Sequence, residues 1–168
     1  AKELRSYAWV ELQRGVLKFD NGDYAGALTN YRRADRAYSG YWLIQEHIAE
    51  ALNYLGRTQE SLAVYDRVIR DTGNPEFINA KAAIVAKHDP ATARALYKQT
   101  ARLYEKRFAV YPEAAIGHAI TDLINNIDTD PRLLTLAQRN VDLRPNAEAK
   151  LLLAKAYLKS GDNARAHL

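Results

Sequence analysis

Apolar side chains return every three to four residues along most of this chain, which is the spacing of one face of an α-helix. Within residues 24–38, for example, the apolar positions are Ala27, Leu28, Tyr31, Ala34 and Tyr38. No stretch of useful length alternates apolar and polar residues, as a half-buried β-strand does. The pattern therefore predicts an all-α protein.

Glycine, proline and capping residues divide the chain into ten predicted helices. Their approximate bounds are 2–20, 24–38, 41–55, 58–70, 75–87, 90–111, 112–126, 131–144, 147–159 and 164–168. Asp89-Pro90 and Asp130-Pro131 are helix start signals, because an aspartate caps a helix and a proline fits its first turn. The connections are short, so neighbouring helices are predicted to run antiparallel.

A pattern of small and aromatic residues repeats along the chain at a nearly fixed distance. The first copy consists of Gly22, Tyr24, Ala27, Tyr31 and Ala34. The second copy, 34 residues later, consists of Gly56, Thr58, Ser61, Tyr65 and Val68. A weaker third copy carries Ala93, Tyr97 and Thr100, and a shortened last copy carries Gly161 and Ala166. A fixed period in this range is typical of stacked helical units.

This unit resembles the tetratricopeptide repeat, a helix–turn–helix of 34 residues in which an aromatic residue follows a small one after three spacers. The matching pairs are Ala27 with Tyr31, Ser61 with Tyr65, and Ala93 with Tyr97. In the first helices of the units, the matches are Gly15, Ala49, Leu153, Ala154 and Tyr157. The family's frequent first-helix tryptophan is absent, and its positions hold Glu11, Gln45 and Lys150. The resemblance implies a right-handed α-α superhelix, a solenoid of stacked antiparallel helix pairs.

The predicted array fills residues 1–168 as a single domain. Its units are about 8–41, 42–74, 75–111, 112–146 and an incomplete 147–168. The third unit is about two residues short, and the fourth carries an insertion, either in the long sixth helix or near residues 126–130. Since the sequence contains no methionine, even at its first position, we expect it to be a fragment of a longer protein.

Composition excludes several kinds of site. The net charge of +4 comes from 24 basic and 20 acidic residues spread along the chain, so it does not require a polyanionic partner. The absence of cysteine excludes disulfides, thiolate catalysis and zinc–thiolate sites, and it is compatible with both a cytoplasmic and a periplasmic location. No apolar run approaches the ~20 residues of a membrane span.

The resemblance also implies a function. First helices of the family line a concave groove that holds an extended peptide or a partner helix, which implies a non-catalytic interaction scaffold or adaptor without a cofactor. The groove candidates in this chain are Trp9, Gln13, Val16, Glu46, Glu50, Asn53, Asn79 and Ala82. Co-chaperone members of the family hold a C-terminal carboxylate with lysine, asparagine and arginine, at positions that here are Leu12, Val16, Glu46 and Glu50. Two carboxylates would repel an acidic tail, so we expect no binding of that chaperone signature.

A basic row offers an alternative partner. Arg94, Lys98, Arg102 and Lys106 follow one another at four-residue spacing on the predicted sixth helix, and Glu105 is the acidic residue nearby in sequence. Such a row is usually a solvated outer face, and we interpret it so. Binding of nucleic acid, an anionic surface or an acidic partner is the alternative.

Two further hypotheses concern a metal and self-association. His47 and Glu50 share a helix face, but a metal ion needs three or four ligands and no second cluster is visible, so we predict no metal site. The sequence contains no phosphate loop or nucleophile elbow, which argues against an enzyme. The apolar face of residues 151–158 is predicted to lack full cover, so a self-associating structural segment of a larger protein is the second interpretation.

Overall fold

The structure, a computed structural model, describes residues 2–126 and 128–166. Within these ranges it contains nine α-helices and no strand, so the fold is all-α, as the periodicity predicts. The helices are α1 (Lys2–Asp20), α2 (Tyr24–Ala37), α3 (Trp42–Tyr54), α4 (Thr58–Thr72), α5 (Pro75–Val85), α6 (Pro90–Phe108), α7 (Pro112–Asn125), α8 (Leu133–Leu143) and α9 (Ala147–Lys159). None of the described helices combines the length and the apolar character that crossing a bilayer requires.

Local chemistry explains where several helices begin and end. The Asp89 carboxylate accepts a hydrogen bond from the Thr92 N–H at 3.0 Å, and Pro90 occupies the first turn of α6. After α1 and α3 the chain turns at Gly22 and Gly56, whose φ angles are +80° and +74°. Residues with a side chain seldom adopt that conformation, so the repeated glycines mark the points where the chain reverses.

Three predicted boundaries are wrong, and the first is the end of α6, which lies at Phe108 rather than Tyr111. Helix α8 begins at Leu133 rather than Pro131, because the Asp130 carboxylate accepts a hydrogen bond from the Arg132 N–H at 2.8 Å and closes a turn instead of capping a helix. Residues 164–166, predicted to begin a tenth helix, also form a turn. Residues 167–168 of that prediction lie outside the described residues.

The chain forms two compact units, unit 1 up to Phe77 and unit 2 from Ile78. In unit 1, α1 pairs with α2, α3 pairs with α4, and α2 packs against α3. Its buried side chains include Leu12, Tyr31 and Ile44. The helix pairs follow the predicted all-α repeat architecture, whereas the continuity of the array and the boundaries of its units stay predictions.

Unit 2 has two clusters of buried apolar residues. Helices α7, α8 and α9 enclose the larger one, whose members include Ile116, Ile120, Leu133, Leu153 and Ala156. The smaller one joins the later part of α5 to α6 through Ala82, Ala93 and Tyr97. Helices therefore bury their apolar stripes against neighbouring helices, as expected for units that cannot bury those stripes alone.

The repeated small residues are the points where paired helices approach each other. Ala27 and Ala93 are fully buried. At the equivalent position of the second copy, the buried Ser61 hydroxyl donates a hydrogen bond to the Ala49 carbonyl at 2.6 Å. That bond links α4 to α3 without the need for a larger side chain, which explains why a serine replaces alanine there.

Candidate functional site

The candidate partner-binding face lies on α1 and α3 of unit 1. Helix α1 presents Trp9, Gln13 and Val16, and α3 presents Glu46, Glu50 and Asn53. Each set is spaced by three or four residues, which places its members on one face of the helix. Trp9 and Gln13 are exposed, and the other four residues are half-buried. The two helices are neighbours, since the rings of Phe19 and Tyr54 meet edge to face with centroids 4.9 Å apart.

The two remaining groove candidates do not belong to an open surface. Asn79 and Ala82 are 5% and 0% exposed. Ala82 packs against Ala93 and Tyr97 in unit 2, so it forms part of the core. Sequence spacing placed both residues on the first helix of a unit, but it could not distinguish the open face of that helix from its packed face.

An open apolar cleft of about 550 Å³ adjoins Trp9. The first half of α1 forms one wall, and Tyr38, Tyr41 and Ile44 form the other. The guanidinium of Arg5 lies 5.1 Å from the centroid of the Tyr38 ring. Because the Trp9 side chain is 54% exposed at this cleft, the indole has a large apolar surface that water still contacts.

Four carboxylates of unit 1 form an acidic patch, which we define as Asp20, Glu46, Glu50 and Glu76. They come from α1, α3 and the first turn of α5. Burial raises the pKa of Glu46, and the charges of Glu50 and Glu76 raise it further, while His47 partly opposes them. Glu50 and Glu76 therefore repel Glu46, and all four carboxylates are at least partly exposed.

Tyr31 lies beneath this patch. Its ring stacks on the His47 ring with centroids 5.2 Å apart and planes 18° apart. Burial raises the pKa of Tyr31, and the charges of Glu50, Asp20 and Glu46 raise it further. Within the described part of the chain, the buried hydroxyl has no hydrogen-bond partner. The sequence pattern identified Tyr31 only as the aromatic residue of the first repeat.

A buried carboxylate occupies the position where the family usually has a tryptophan. Glu11 is almost fully buried, and it accepts hydrogen bonds from Arg14 Nη1 at 2.7 Å and from Asn30 Nδ2 at 2.8 Å. Burial on its own would raise the pKa of Glu11, but these bonds and the charges of Arg14 and Arg33 outweigh burial and lower it. Glu11 therefore joins α1 to α2 and is not part of the open face.

His47 and Glu50, which the sequence offered as metal ligands, have no third ligand near them in the described part of the chain. His47 Nδ1 lies 3.7 Å from a Glu50 carboxylate oxygen. Across residues 2–126 and 128–166, no group of three or more potential ligands converges on a metal position. The geometry of His47 and Glu50 is that of a weak ion pair, with a strength that depends on protonation of the imidazole.

The basic row on α6 faces acidic residues that are distant in sequence. Arg94 forms an ion pair with Asp128 at 2.8 Å, and Arg132, beside the row, forms ion pairs with Asp130 and with Glu105. The sequence had suggested Glu105 as the acidic residue near the row, but Asp128 and Asp130 also lie beside it. The side chains enclose a cleft of about 350 Å³ in unit 2 that carries both signs of charge.

Comparisons with solved structures identify the fold. A tetratricopeptide-repeat protein of Thermus thermophilus, TTC0263, matches with a TM-score of 0.68 and 17% identity over 95% of this chain and 86% of that chain. Yeast Tom70 matches with a TM-score of 0.64 and 21% identity, covering 95% of this chain and 34% of that one. MamA of Desulfovibrio magneticus RS-1 matches with a TM-score of 0.51 and 19% identity, covering 95% and 89%.

No protein-family model matches the sequence, and no curated protein matches it either. The structural likenesses nevertheless agree with the helix pairs and the small–aromatic spacing described above. Together they show that the chain has the fold of tetratricopeptide-repeat proteins, an all-α helical repeat.

Proposed function

We propose that this chain is a non-catalytic scaffold or adaptor, which binds an extended peptide or a helix of a partner protein in a groove along α1 and α3. Arrays of this architecture expose long surfaces built from successive repeats, and these surfaces commonly bind other proteins. The partner is therefore another protein, held by side chains of two neighbouring first helices. No cofactor takes part.

Trp9 is the observation that carries this proposal. Its indole is half-exposed beside the apolar cleft of unit 1, where a partner's side chain would bury it. Tryptophan is enriched among the few residues that dominate binding energies, because it buries a large apolar area and keeps an N–H donor. Gln13 and Asn53 on the same face offer side-chain amides that can bond a peptide backbone.

Selection of peptides tests the proposal. A display library of random linear peptides is selected on the immobilised chain, and the affinities of the enriched peptides are measured by fluorescence anisotropy. We expect micromolar binders that lose about tenfold or more in affinity with Trp9→Ala, the loss typical of an aromatic anchor. Tyr111→Ala, which shortens an exposed aromatic side chain in unit 2, is the matched control and should bind normally. Failure to enrich any peptide, or equal losses in both variants, would refute the groove.

Self-association is the second candidate. Leu151 and Leu158 lie two turns apart on α9 and are both more than half exposed. A second copy of the chain that covered them would remove this apolar surface from water. Light scattering after size-exclusion chromatography tests it: the mass should rise with concentration and fall to the monomer with Leu151→Asp. A monomer mass at every concentration would exclude this candidate.

A further inference from the structure

Three members of the acidic patch, Asp20, Glu46 and Glu50, lack the arginine partners that Glu11 and Glu60 of the same unit have. Glu11 pairs with Arg14, and Glu60 pairs with Arg57. In contrast, no lysine or arginine of the described chain forms an ion pair with Asp20, Glu46 or Glu50, and His47 is their one nearby basic partner. These three carboxylates therefore attract a cation from outside the chain.

A second and independent observation is the hydroxyl of Tyr31. The residue is 0% exposed, and its hydroxyl has no hydrogen-bond partner in the described part of the chain. A buried polar group without a partner destabilises a protein, so such groups are uncommon unless something outside the chain satisfies them. The Tyr31 ring stacks on His47 of α3 and lies against Gly15 of α1, which places it between the two helices that carry Asp20, Glu46 and Glu50.

Tyr54 adds a ring that can contact a cation. It follows Glu50 by one helical turn on α3 and is 55% exposed. Phe19 and Tyr24 hold the ring in place, with centroid distances of 4.9 Å and 4.8 Å. The face of an aromatic ring attracts ammonium and guanidinium groups, so carboxylates and ring favour the same kind of ligand.

We propose that the bound partner segment carries a lysine or arginine whose cationic group enters the acidic patch between Glu46 and Glu50, beside Tyr31 and Tyr54. This inference rests on the proposed groove, and it names the chemistry of the partner. The N–H donors of the cation bond the carboxylates and give the Tyr31 oxygen the partner that it lacks. Because the His47 ring stacks on Tyr31, the cation reaches the Tyr31 hydroxyl only if that partly exposed imidazole turns aside.

The contact of Tyr31 with α1 indicates where this residue stands in an extended peptide that follows α1. The Tyr31 ring lies over Gly15, which is six residues from Trp9, or roughly 9 Å at the rise of an α-helix. An extended peptide covers that distance in about three residues. A segment that buries Trp9 and reaches Tyr31 is therefore expected to have its lysine or arginine about three positions from the residue that contacts the indole.

The peptides selected on the wild-type chain provide the first test. We expect them to be enriched in lysine or arginine at one position, and replacement of that residue by glutamine should lower affinity by about tenfold, as expected for loss of a partly buried charge pair. This measurement needs no variant of the protein. Peptides that bind through Trp9 but carry no preferred cation would overturn the inference and leave the proposed groove standing, whereas no peptide at all would refute both.

Charge variants of the protein test whether the cation of the peptide binds at Glu46 and Glu50. Glu46→Gln with Glu50→Gln should reduce the affinity of a lysine peptide at least as much as the glutamine replacement in the peptide. The double variant Glu113→Gln with Glu148→Gln removes the same charge from exposed positions of unit 2 and should bind normally. Equal losses in the two variants would show general attraction by net charge and would overturn the inference.

Tyr31→Phe separates binding from folding. Removal of an unpaired buried hydroxyl should leave the melting temperature unchanged or raise it. We expect this variant to bind the lysine peptide several-fold more weakly all the same, because the cation loses one hydrogen-bond partner. Undiminished binding by Tyr31→Phe would contradict the assigned contact with Tyr31.

Discussion

The ring of Tyr31 crosses α1 directly over Gly15, so closely that a Cβ atom on Gly15 would lie 2.5 Å from Tyr31 Cδ1. Real Cβ atoms do not approach a ring carbon to that distance. Gly15 is therefore small because the aromatic residue of the repeat occupies the place of its side chain. This contact joins the small residue of the first helix to the aromatic residue of the second within one helix pair.

Gly15→Ala should lower the free energy of unfolding. Alanine in a helix interior normally stabilises a protein by roughly 0.5–1 kcal/mol relative to glycine. Overpacking destabilises it by ~1–3 kcal/mol, so the net effect of Gly15→Ala should be a loss of stability. Gly117→Ala in α7 is the matched control, because its Cβ would meet only Arg144 Nη2 at an ordinary 3.5 Å. Urea denaturation should show the first variant destabilised and the second stabilised. A Gly15→Ala protein as stable as the wild type would contradict the packing described.

The buried pair of Glu11 and Asn30 should make stability depend on pH. The folded-state pKa of Glu11 is lowered, so its contribution is complete above the unfolded-state pKa of about 4.3 and is lost as the pH falls through the folded-state value. Chemical denaturation from pH 7 down to pH 3 should therefore show a steeper loss of stability for the wild type than for Glu11→Gln. Parallel pH profiles would contradict the pKa shift.

Asn30→Ala tests the same pair at constant pH. The substitution removes the donor of the 2.8 Å bond to Glu11 and leaves a buried carboxylate oxygen with fewer partners. We expect a loss of about 1–3 kcal/mol in the free energy of unfolding at pH 7. Thr29→Ala, at an exposed neighbouring position of α2, should change stability much less. Similar small effects in both variants would mean that the hydrogen bond between Asn30 and Glu11 contributes little to the free energy of unfolding.

Much of the fold follows from spacing along the chain, whereas contacts between distant residues do not. The interval from Ala27 to Tyr31 and the glycine at the end of α1 indicate helices and turns, because both reflect the geometry of neighbouring residues. Glu11 stood out in the sequence only as a departure from the family pattern. Its partner Asn30 is 19 residues away, and nothing in a helical period links the two.

The same limit applies to the candidate site. The positions of Trp9, Glu46 and Glu50 on first helices could be predicted from their three- and four-residue spacing. The unpaired hydroxyl of Tyr31 could not, since it depends on which side chains of α3 cover the ring. The pairing of Arg94 with Asp128 also depends on how the connection before α8 is folded.

Ala93→Leu should overpack the junction between α5 and α6. Ala93 is fully buried against Ala82 and Tyr97, so a leucine must displace one of these neighbours at a cost of ~1–3 kcal/mol. Ala95→Leu, two residues further along α6 and exposed, is the control and should change stability by little. Thermal denaturation followed by circular dichroism compares the two variants. If Ala93→Leu had the same melting temperature as the control, close packing of α5 and α6 would not explain the small residue at this position.

The basic row should not bind nucleic acid strongly. Arg94 is paired with Asp128, and Asp130 and Glu105 add negative charge beside the row, so the surface carries both signs of charge. We expect little anisotropy change with single-stranded RNA or duplex DNA even at low salt. Strong binding with a steep dependence on salt, abolished by Lys98→Glu with Arg102→Glu, would establish the alternative instead.

The chain should also fail to bind the acidic C-terminal peptides that co-chaperones of this fold recognise. The four positions that match their carboxylate clamp hold Leu12, which is buried, Val16, which is half-buried, and the carboxylates of Glu46 and Glu50. None of these side chains can donate a hydrogen bond to a carboxylate, and two of them repel it. Calorimetric titration with a chaperone C-terminal peptide should therefore show no micromolar binding.

Reversal of charge is the matched test of that prediction. Glu46→Lys with Glu50→Lys replaces two repulsive groups by two donors on the same face of α3, so any residual affinity for the acidic peptide should increase. The same variant should lose the lysine peptides selected on the wild-type chain, because like charges then meet. Micromolar binding of the acidic peptide by the unmodified chain would show that the carboxylates of α3 do not set the charge of the partner.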